Sequence, residues 1–514
     1  MKIFHFDFNT AFFNREYLEN FIRRLKEWGY DTLLWELEDF VRWDTLKYCF
    51  QSDSISKNEM AEILNFTEEL GFSNIPLVQC LGHCEYVLSC KEYAHMADAP
   101  GKIAPYCPQN PQVQDFLKHL LKEYMELFSE SKYIHLGCDE VWGLGDDCPE
   151  CQKVIAAGGK ETLLAQHINF LNSFVRNNGR EAMIWADMLL IHPHGVQMLD
   201  KNIIMVDWRY ELRSDRNMLW LWDEKGGHLI DESEITEDMR RNFGRYLYKN
   251  GKLNIFYTVD FLLDSGFRVI SAGASSSYPD NFILGQTVDH ICNACSMMQK
   301  SCECMGYLHT SWTVHCFAYE FQPAIEMVRM TDDFEAVMDE YADRHFGISG
   351  ERFFSLLELL EGRMLFAYAG STGHGKAQKE PPENIINVRL KDYEDAGLLE
   401  SELERVYQFY DNYTRALSGL QNLRGELKRG HELFDNYIFA AEILKNRAEF
   451  VIFAISEYLQ IPHSIDCNAV KEKLQKLSEK YYQDCCLRYT PAHAKRFVRI
   501  IFGTLVEYLN LQKI

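Results

Sequence analysis

An aspartate and a glutamate stand side by side at Asp139-Glu140, directly after the run Tyr133-Ile134-His135-Leu136-Gly137-Cys138. Adjacent residues of a strand project to opposite faces, so the two acids share one pocket only where the strand ends and turns. Two carboxylates in different surroundings can be driven to different pKa values, one kept protonated as an acid and one kept charged. An Asp-Glu pair at the start of a loop is more often a solvated surface pair. Here the apolar strand before it, the glycine and the following Trp142 favour a site. Strands that deliver acids at their C-terminal ends are the active-face pattern of a (β/α)8 barrel.

The elements that must position the pair follow from hydropathy. Residues 3–8 alternate and predict a first strand with His5 and Asp7 on one side. Further strands are expected at 32–39, 75–80, 133–138, 182–187, 203–208, 267–271 and 305–312. Helical spacing at 15–28, 57–70, 111–129, 161–178, 240–250 and 285–300 separates them. The fold class expected is therefore α/β, a (β/α)8 TIM barrel. A doubly wound open sheet is the rival, but no glycine-rich dinucleotide loop follows the first strand. From about residue 326 helical periodicity takes over, at 326–344, 351–368, 401–428, 431–459, 468–483 and 491–511. The expected organisation is a catalytic barrel over 1–325 and an all-helical C-terminal domain over 326–514.

Composition narrows the classes of partner. With 514 residues and 47% hydrophobic residues, the chain can bury a large core. A net charge of −23 repels a nucleic-acid backbone or an anionic membrane surface, so neither is expected as a partner. Met1-Lys2-Ile3-Phe4-His5-Phe6-Asp7 lacks the apolar core of a signal peptide, and sixteen cysteines then suggest a reducing, cytoplasmic setting.

Collecting the expected strand ends gives Asp7, Glu36, Glu38, Asp39, His83, Asp139, Glu140, Trp185, Asp187, Trp208, Tyr210 and Trp312. Carboxylates, one histidine and several indoles around one face suit a sugar, whose C–H face stacks on aromatic rings while its hydroxyls bond to acids. The string His135-Leu136-Gly137-Cys138-Asp139-Glu140 resembles the signature of glycoside hydrolase family 20 β-N-acetylhexosaminidases, and most of all their hexosaminidase D-like branch. The resemblance extends through Leu34-Trp35-Glu36-Leu37-Glu38-Asp39, through Ile75 to Glu85, and to Thr310-Ser311-Trp312. It covers roughly residues 1–325.

That resemblance implies a retaining mechanism in which the substrate's own 2-acetamido oxygen attacks the anomeric carbon, giving an oxazolinium ion. Glu140 would be the general acid and then base, with Trp142 as an apolar shell that raises its pKa. Asp139 would hold the acetamido N–H. His83 and Asp39 would form a relay behind Glu140, and Trp185, Trp208 and Trp312 would box the acetamido methyl. Tyr278, with Tyr210 as competitor, would donate to the acetamido oxygen, and Asp280 would reach a sugar hydroxyl. Two departures stand out. The family's arginine after the first strand is replaced by Asp7-Phe8-Asn9-Thr10, and Val314 stands where many members have a glutamate. The resemblance leaves Glu320 or His315 as the substitutes, and these differences leave the gluco-galacto preference open.

No cofactor is expected, and the partner is a carbohydrate with a terminal N-acetylhexosamine. The helical domain could provide a homodimer interface. Two other readings remain: a retaining glycosidase with Glu36 or Glu38 as nucleophile, and a non-catalytic carbohydrate-binding barrel. Cys148-Pro149-Glu150-Cys151 and Cys292-Asn293-Ala294-Cys295 have metal-ligand spacing, and the two pairs could close a zinc site only if the fold united them. Separate thiols and no metal are the expectation.

Overall fold

Alternation along the first strand puts Ile3, His5 and Asp7 on one side and Phe4 and Phe6 on the other, and both sides are buried. A strand buried on both faces belongs inside a layered parallel sheet. In the computed structural model, which describes all residues except 10, 277–283, 313–317, 363, 366–383, 513 and 514, that sheet closes on itself. The barrel strands are β1 (Lys2–Asp7), β2 (Thr32–Glu36), β3 (Ser73–Leu77), β4 (Tyr133–His135), β5 (Glu181–Trp185) and β6 (Ile204–Trp208). Two hairpins follow, β7 (Leu219–Asp223) with β8 (Gly226–Ile230), and β9 (Tyr248–Lys249) with β10 (Lys252–Leu253). The barrel resumes with β11 (Arg268–Ser276) and β12 (Gly306–Ser311), and β12 pairs parallel to β1. The eight barrel strands match the eight expected from hydropathy.

The intervening helices are α1 (Arg15–Glu27), α2 (Lys57–Glu69), α3 (Glu85–Leu88), α4 (Pro111–Leu127), α5 (Pro149–Asn177), α6 (Asp187–Ile191), α7 (Glu237–Phe243), α8 (Tyr257–Asp264) and α9 (Thr287–Lys300). Local chemistry starts several of them. The Asn14 side chain caps α1, Ser56 and Glu59 form a capping box on α2, and Asn110 precedes a proline at the start of α4. Side chains on two faces of the sheet form two separate apolar clusters. Ile3, Leu34, Ile75, Met183, Ile204, Ile270 and Leu308 fill the barrel interior, while Phe4, Phe6, Leu33, Trp35 and Val269 pack under the helices. Toward the strands' C-terminal ends the interior turns polar, with His5, Glu36 and His135 all buried.

Two expectations are corrected. A helix over 240–250 is replaced by α7, a tight hairpin and then α8, which packs on β6 and β11. Asn250 and Gly251 both have positive φ, 54° and 76°, which is the two-residue turn that Asn-Gly favours. The alternating Leu219-Trp220-Leu221-Trp222 forms a hairpin strand that was not expected either.

Beyond the barrel lie α10 (Pro323–Met327), α11 (Phe334–Phe346), α12 (Gly350–Glu358), α13 (Ile385–Asp395), α14 (Leu399–Arg424), α15 (His431–Leu459), α16 (Cys467–Cys486), α17 (Pro491–Val498) and α18 (Thr504–Leu511). The helix expected over 326–344 breaks at Asp333, whose side chain caps α11, and a π-helical turn at Arg499–Gly503 interrupts the one expected over 491–511. This helical layer touches the barrel's rim directly. Thr490 N donates to Phe12 O, His493 Nδ1 lies 2.9 Å from Asp53 Oδ2, and the His493 ring stacks on Phe12. No helix among the described residues is long and apolar enough to cross a membrane.

Beside the end of β6, Asp207 and Arg209 make a fully buried ion pair at 2.9 Å, with Thr258 donating to Asp207 and Arg209 donating to the Ile255 carbonyl. Burial pushes the Asp207 carboxyl above its usual range, and Arg209 works against that. Removing one partner strands the other charge in a dry interior. Arg209→Met is expected to lower the free energy of unfolding by about 3–5 kcal/mol in a denaturant titration, and Asp207→Leu in the same chain should restore much of it.

Candidate active site

The chain after β4 does not continue as a strand. Gly137, Cys138 and Glu140 all have left-handed backbone, with φ of 66°, 73° and 48°. These turns abolish the alternation that would send Asp139 and Glu140 to opposite faces. A Cβ on Gly137 would lie 2.0 Å from Gln79 Oε1, and one on Gly82 would lie 2.5 Å from the Asp139 carbonyl oxygen, so the loops after β3 and β4 meet backbone to backbone. Such conformations cost roughly 1–2 kcal/mol each outside glycine, and they concentrate where geometry matters more than local comfort.

That close approach brings His83, itself at φ 48°, between the two acids. Its Nε2 lies 3.4 Å from Asp139 Oδ2 and 3.5 Å from Glu140 Oε2. Asp139 is buried, and its Oδ1 has no hydrogen-bond partner within the protein. The Glu140 side chain is 38% exposed. Burial opposes charge on His83, but attraction and hydrogen bonding from Asp139 and Glu140 outweigh it and hold the imidazole pKa well above its usual value. Burial raises the Asp139 carboxyl, with His83 offsetting part of the shift.

Asp187, fully buried at the start of α6, ties the loops together. Its Oδ2 accepts from the Glu140 backbone N–H at 2.9 Å and its Oδ1 accepts from Trp208 Nε1 at 3.2 Å. Burial and the nearby Asp139 charge push Asp187 well above the ordinary carboxylate range. Trp208 packs against Tyr210 and edge-on against Trp222 of the unexpected hairpin, with ring centroids 4.8 and 4.4 Å apart. Trp312 Nε1 donates to the Tyr210 hydroxyl at 3.0 Å, and Trp185 lies 6.0 Å from Trp312 between ring centroids. The three expected indoles and Tyr210 thus form one connected wall. Beneath it, Glu36 accepts from Gln79 at 2.7 Å and pairs with His5 at 3.0 Å, while the His5 ring packs on Trp312.

Other expected residues carry further contacts. Asp39 accepts from the Gln51 amide at 3.0 Å and its carbonyl accepts from Ser54, which fixes the loop after β2. Trp142 is 38% exposed. Glu320 accepts from the Tyr17 hydroxyl and faces Arg488 at 3.3 Å, a contact between α1, the segment after β12 and the end of α16. Tyr278, Asp280, Val314 and His315 lie outside the described residues. The two CxxC pairs do not meet: Cys148 and Cys151 gather with Cys107 instead. Sequence reasoning collected Asp187 as a strand end without giving it a role, and it passed over Gln79 and Trp222. An acid two residues after a strand-end tryptophan was the available signal for the first.

Residues 42–231 match the model of glycosyl hydrolase family 20, catalytic domain. Hexosaminidase D of Homo sapiens is 27% identical over 195 residues, which are 37% of this chain and 40% of that protein. Hexosaminidase D of Bos taurus is 26% identical over 193 residues, 37% of this chain and 56% of that protein. The chain therefore spans only about half the length of the curated relatives it matches. Among solved structures, a β-N-acetylhexosaminidase from Bacteroides fragilis aligns at 16% identity over 67% of this chain and 69% of that one, with a TM-score of 0.47.

Two measurements check the geometry of the loop. Gly137→Ala is expected to cost about 1–2 kcal/mol of stability from backbone conformation alone, and more from the collision with Gln79, as read by chemical denaturation. The His83 proton should persist through neutral pH. A raised imidazole pKa contributes stability fully present below the unfolded value and lost as pH rises through the folded value. Histidine-detected NMR should find His83 still protonated when an ordinary imidazole has titrated, and a pKa at or below 6.5 would contradict the pairing.

Proposed function

We propose that this chain, which carries a family 20 glycoside hydrolase catalytic domain, is an exo-acting, retaining β-N-acetylhexosaminidase that removes terminal β-linked N-acetylglucosamine or N-acetylgalactosamine. The observation that carries this reading is His83 Nε2 set 3.4 Å from Asp139 and 3.5 Å from Glu140, which joins two acids of unlike exposure into one unit. The exposed member, Glu140, is the one suited to meet a leaving group and a water. The buried member, Asp139, presents an unpartnered Oδ1 that can accept the acetamido N–H.

In this mechanism the acetamido oxygen attacks the anomeric carbon as the bond to the leaving oxygen breaks, and Glu140 gives its proton to that oxygen. The charge on Asp139 offsets the positive charge that develops on the oxazolinium ring. Glu140, now a carboxylate, takes a proton from water, which attacks the anomeric carbon and reopens the ring with net retention. Trp185, Trp208 and Trp312 supply the apolar wall for the acetamido methyl and the sugar face. The Tyr210 hydroxyl accepts from Trp312 Nε1, which leaves its own O–H for the acetamido oxygen. The same reading assigns catalysis to residues 1–325 and a supporting role to the helical residues 326–514.

Glu36 as a carboxylate nucleophile is less well supported. Glu36 is buried with one oxygen on His5 and the other on Gln79, so freeing it would break both contacts.

A panel of aryl β-glycosides with and without the 2-acetamido group, in the gluco and galacto series, tests the proposal. Turnover should require the acetamido group, a thiazoline mimic of the cyclised intermediate should inhibit, and Asp139→Asn or Glu140→Gln should each lower kcat by about 10²–10⁴-fold. Equal cleavage without the acetamido group would favour the carboxylate nucleophile, and binding without turnover would favour a lectin-like barrel. Activity should decline on the alkaline side as His83 loses the proton that links the two acids.

A further inference from the structure

Three cysteines converge away from the acid pair. Cys107 lies in the segment between α3 and α4, Cys148 is the residue before α5, and Cys151 lies in that helix's first turn. Cys107 Sγ lies 3.5 Å from Cys148 Sγ and 3.8 Å from Cys151 Sγ, and all three thiols are buried. Among the described residues this is the single group of three His, Cys, Asp or Glu side chains whose ligand atoms fall within 4.8 Å of one another.

We propose that Cys107, Cys148 and Cys151 bind one zinc-class divalent cation as a structural clip, with a solvent molecule at the fourth position. The spacing decides between the chemistries open to three thiols. Sulfurs bound to zinc at about 2.3 Å in a tetrahedron stand about 3.8 Å apart, which matches the two separations here. A disulfide would draw one pair to about 2.05 Å and strand the third sulfur. The local sequence agrees. Cys148-Pro149-Glu150-Cys151 presents two sulfurs from one helical turn, and Cys107 opens a turn in which the Asn110 backbone N–H donates to the Cys107 carbonyl oxygen at 3.1 Å. Binding exchanges sulfur-bound protons for metal–sulfur bonds and releases those protons to the buffer.

The clip has a mechanical consequence. Cys107 closes the loop that begins with His83, and Cys148 closes the loop that begins with Glu140. A cation there ties the two loops at their far ends, as His83 and the two acids tie them at their near ends. A hydrogen bond from the Gly145 backbone N–H to the Asp98 side-chain Oδ2 runs between the same two loops.

Elemental analysis of the full chain, purified under reducing conditions without added metal and dialysed, is expected to find about one zinc per chain. Replacement by cobalt should give the intense thiolate-to-cobalt absorption of a sulfur-rich tetrahedral site. Cys107→Ser and Cys151→Ser should each lose the metal and the absorption, while Cys292→Ser should keep both. Should either variant fail to fold, release of zinc from the unaltered chain by a mercurial titrant, followed by its rebinding, gives the same answer. Less than a tenth of an equivalent of zinc together with no cobalt absorption on reconstitution would overturn the proposal. So would metal that persists in Cys107→Ser, or a disulfide among the three found by mass mapping of reduced-purified protein. None of these readouts depends on glycoside turnover, so this site stands or falls apart from the proposed reaction.

Discussion

One imidazole, its pKa held well above the usual value by the acids beside it, sits against two carboxyl groups at the mouth of the barrel, and the surrounding backbone is bent to allow it. Two unit charges about 4 Å apart interact by roughly 4 kcal/mol at an effective dielectric near 20, so neighbouring acids repel unless a cation is interposed. His83 supplies that charge from the neighbouring loop, touching Asp139 and Glu140 with the same nitrogen. Its position depends on Gly82 lying against the Asp139 carbonyl, and the acids' position depends on the left-handed turns at 137, 138 and 140. Hydrogen bonds offset the conformational cost. The Glu140 amide is anchored on Asp187, and the same carboxyl fixes the Trp208 indole.

Around that centre the structure is a series of couplings between neighbouring loops. Asp187 links the loops after β4 and β5 to the end of β6, and the Asp207–Arg209 pair braces the outer side of the same strand end. Trp312, Tyr210, Trp208 and Trp222 then pass contact from β12 to the β7–β8 hairpin. The helical region takes part as well. His493 and Thr490 reach Asp53, in the loop that Ser54 and Gln51 fasten to Asp39. Helices remote in sequence therefore shape the rim from which a site residue was expected.

Much of this was legible in the order of residues. Period-two and period-3.6 patterns located eight barrel strands, because a strand between helices must be apolar on both faces and a crossover helix on one. The failures have specific causes. Asn250-Gly251 carried a hairpin signal that a run of helix-forming neighbours obscured. The alternation in Leu219-Trp220-Leu221-Trp222 belongs to a strand outside the barrel, which the βα rhythm gave no reason to expect. Glu320, a candidate for the sugar, also accepts from Tyr17 and faces Arg488, the latter 168 positions away in the chain, contacts that no local pattern signals.

By itself the amino-acid order determined the barrel, the adjacency of Asp139 and Glu140, and the set of aromatic and acidic residues at strand ends, because these depend on local periodicity and on residue type. It could not determine which of those groups touch. That His83 spans both acids, that Asp187 holds Glu140 and Trp208 at once, and that Cys148 and Cys151 meet Cys107 rather than Cys292 and Cys295 were decided only when the barrel closed. The reason is geometric: these contacts join loops that follow different strands, and their distances are set by strand order and register around the ring, which no local pattern encodes.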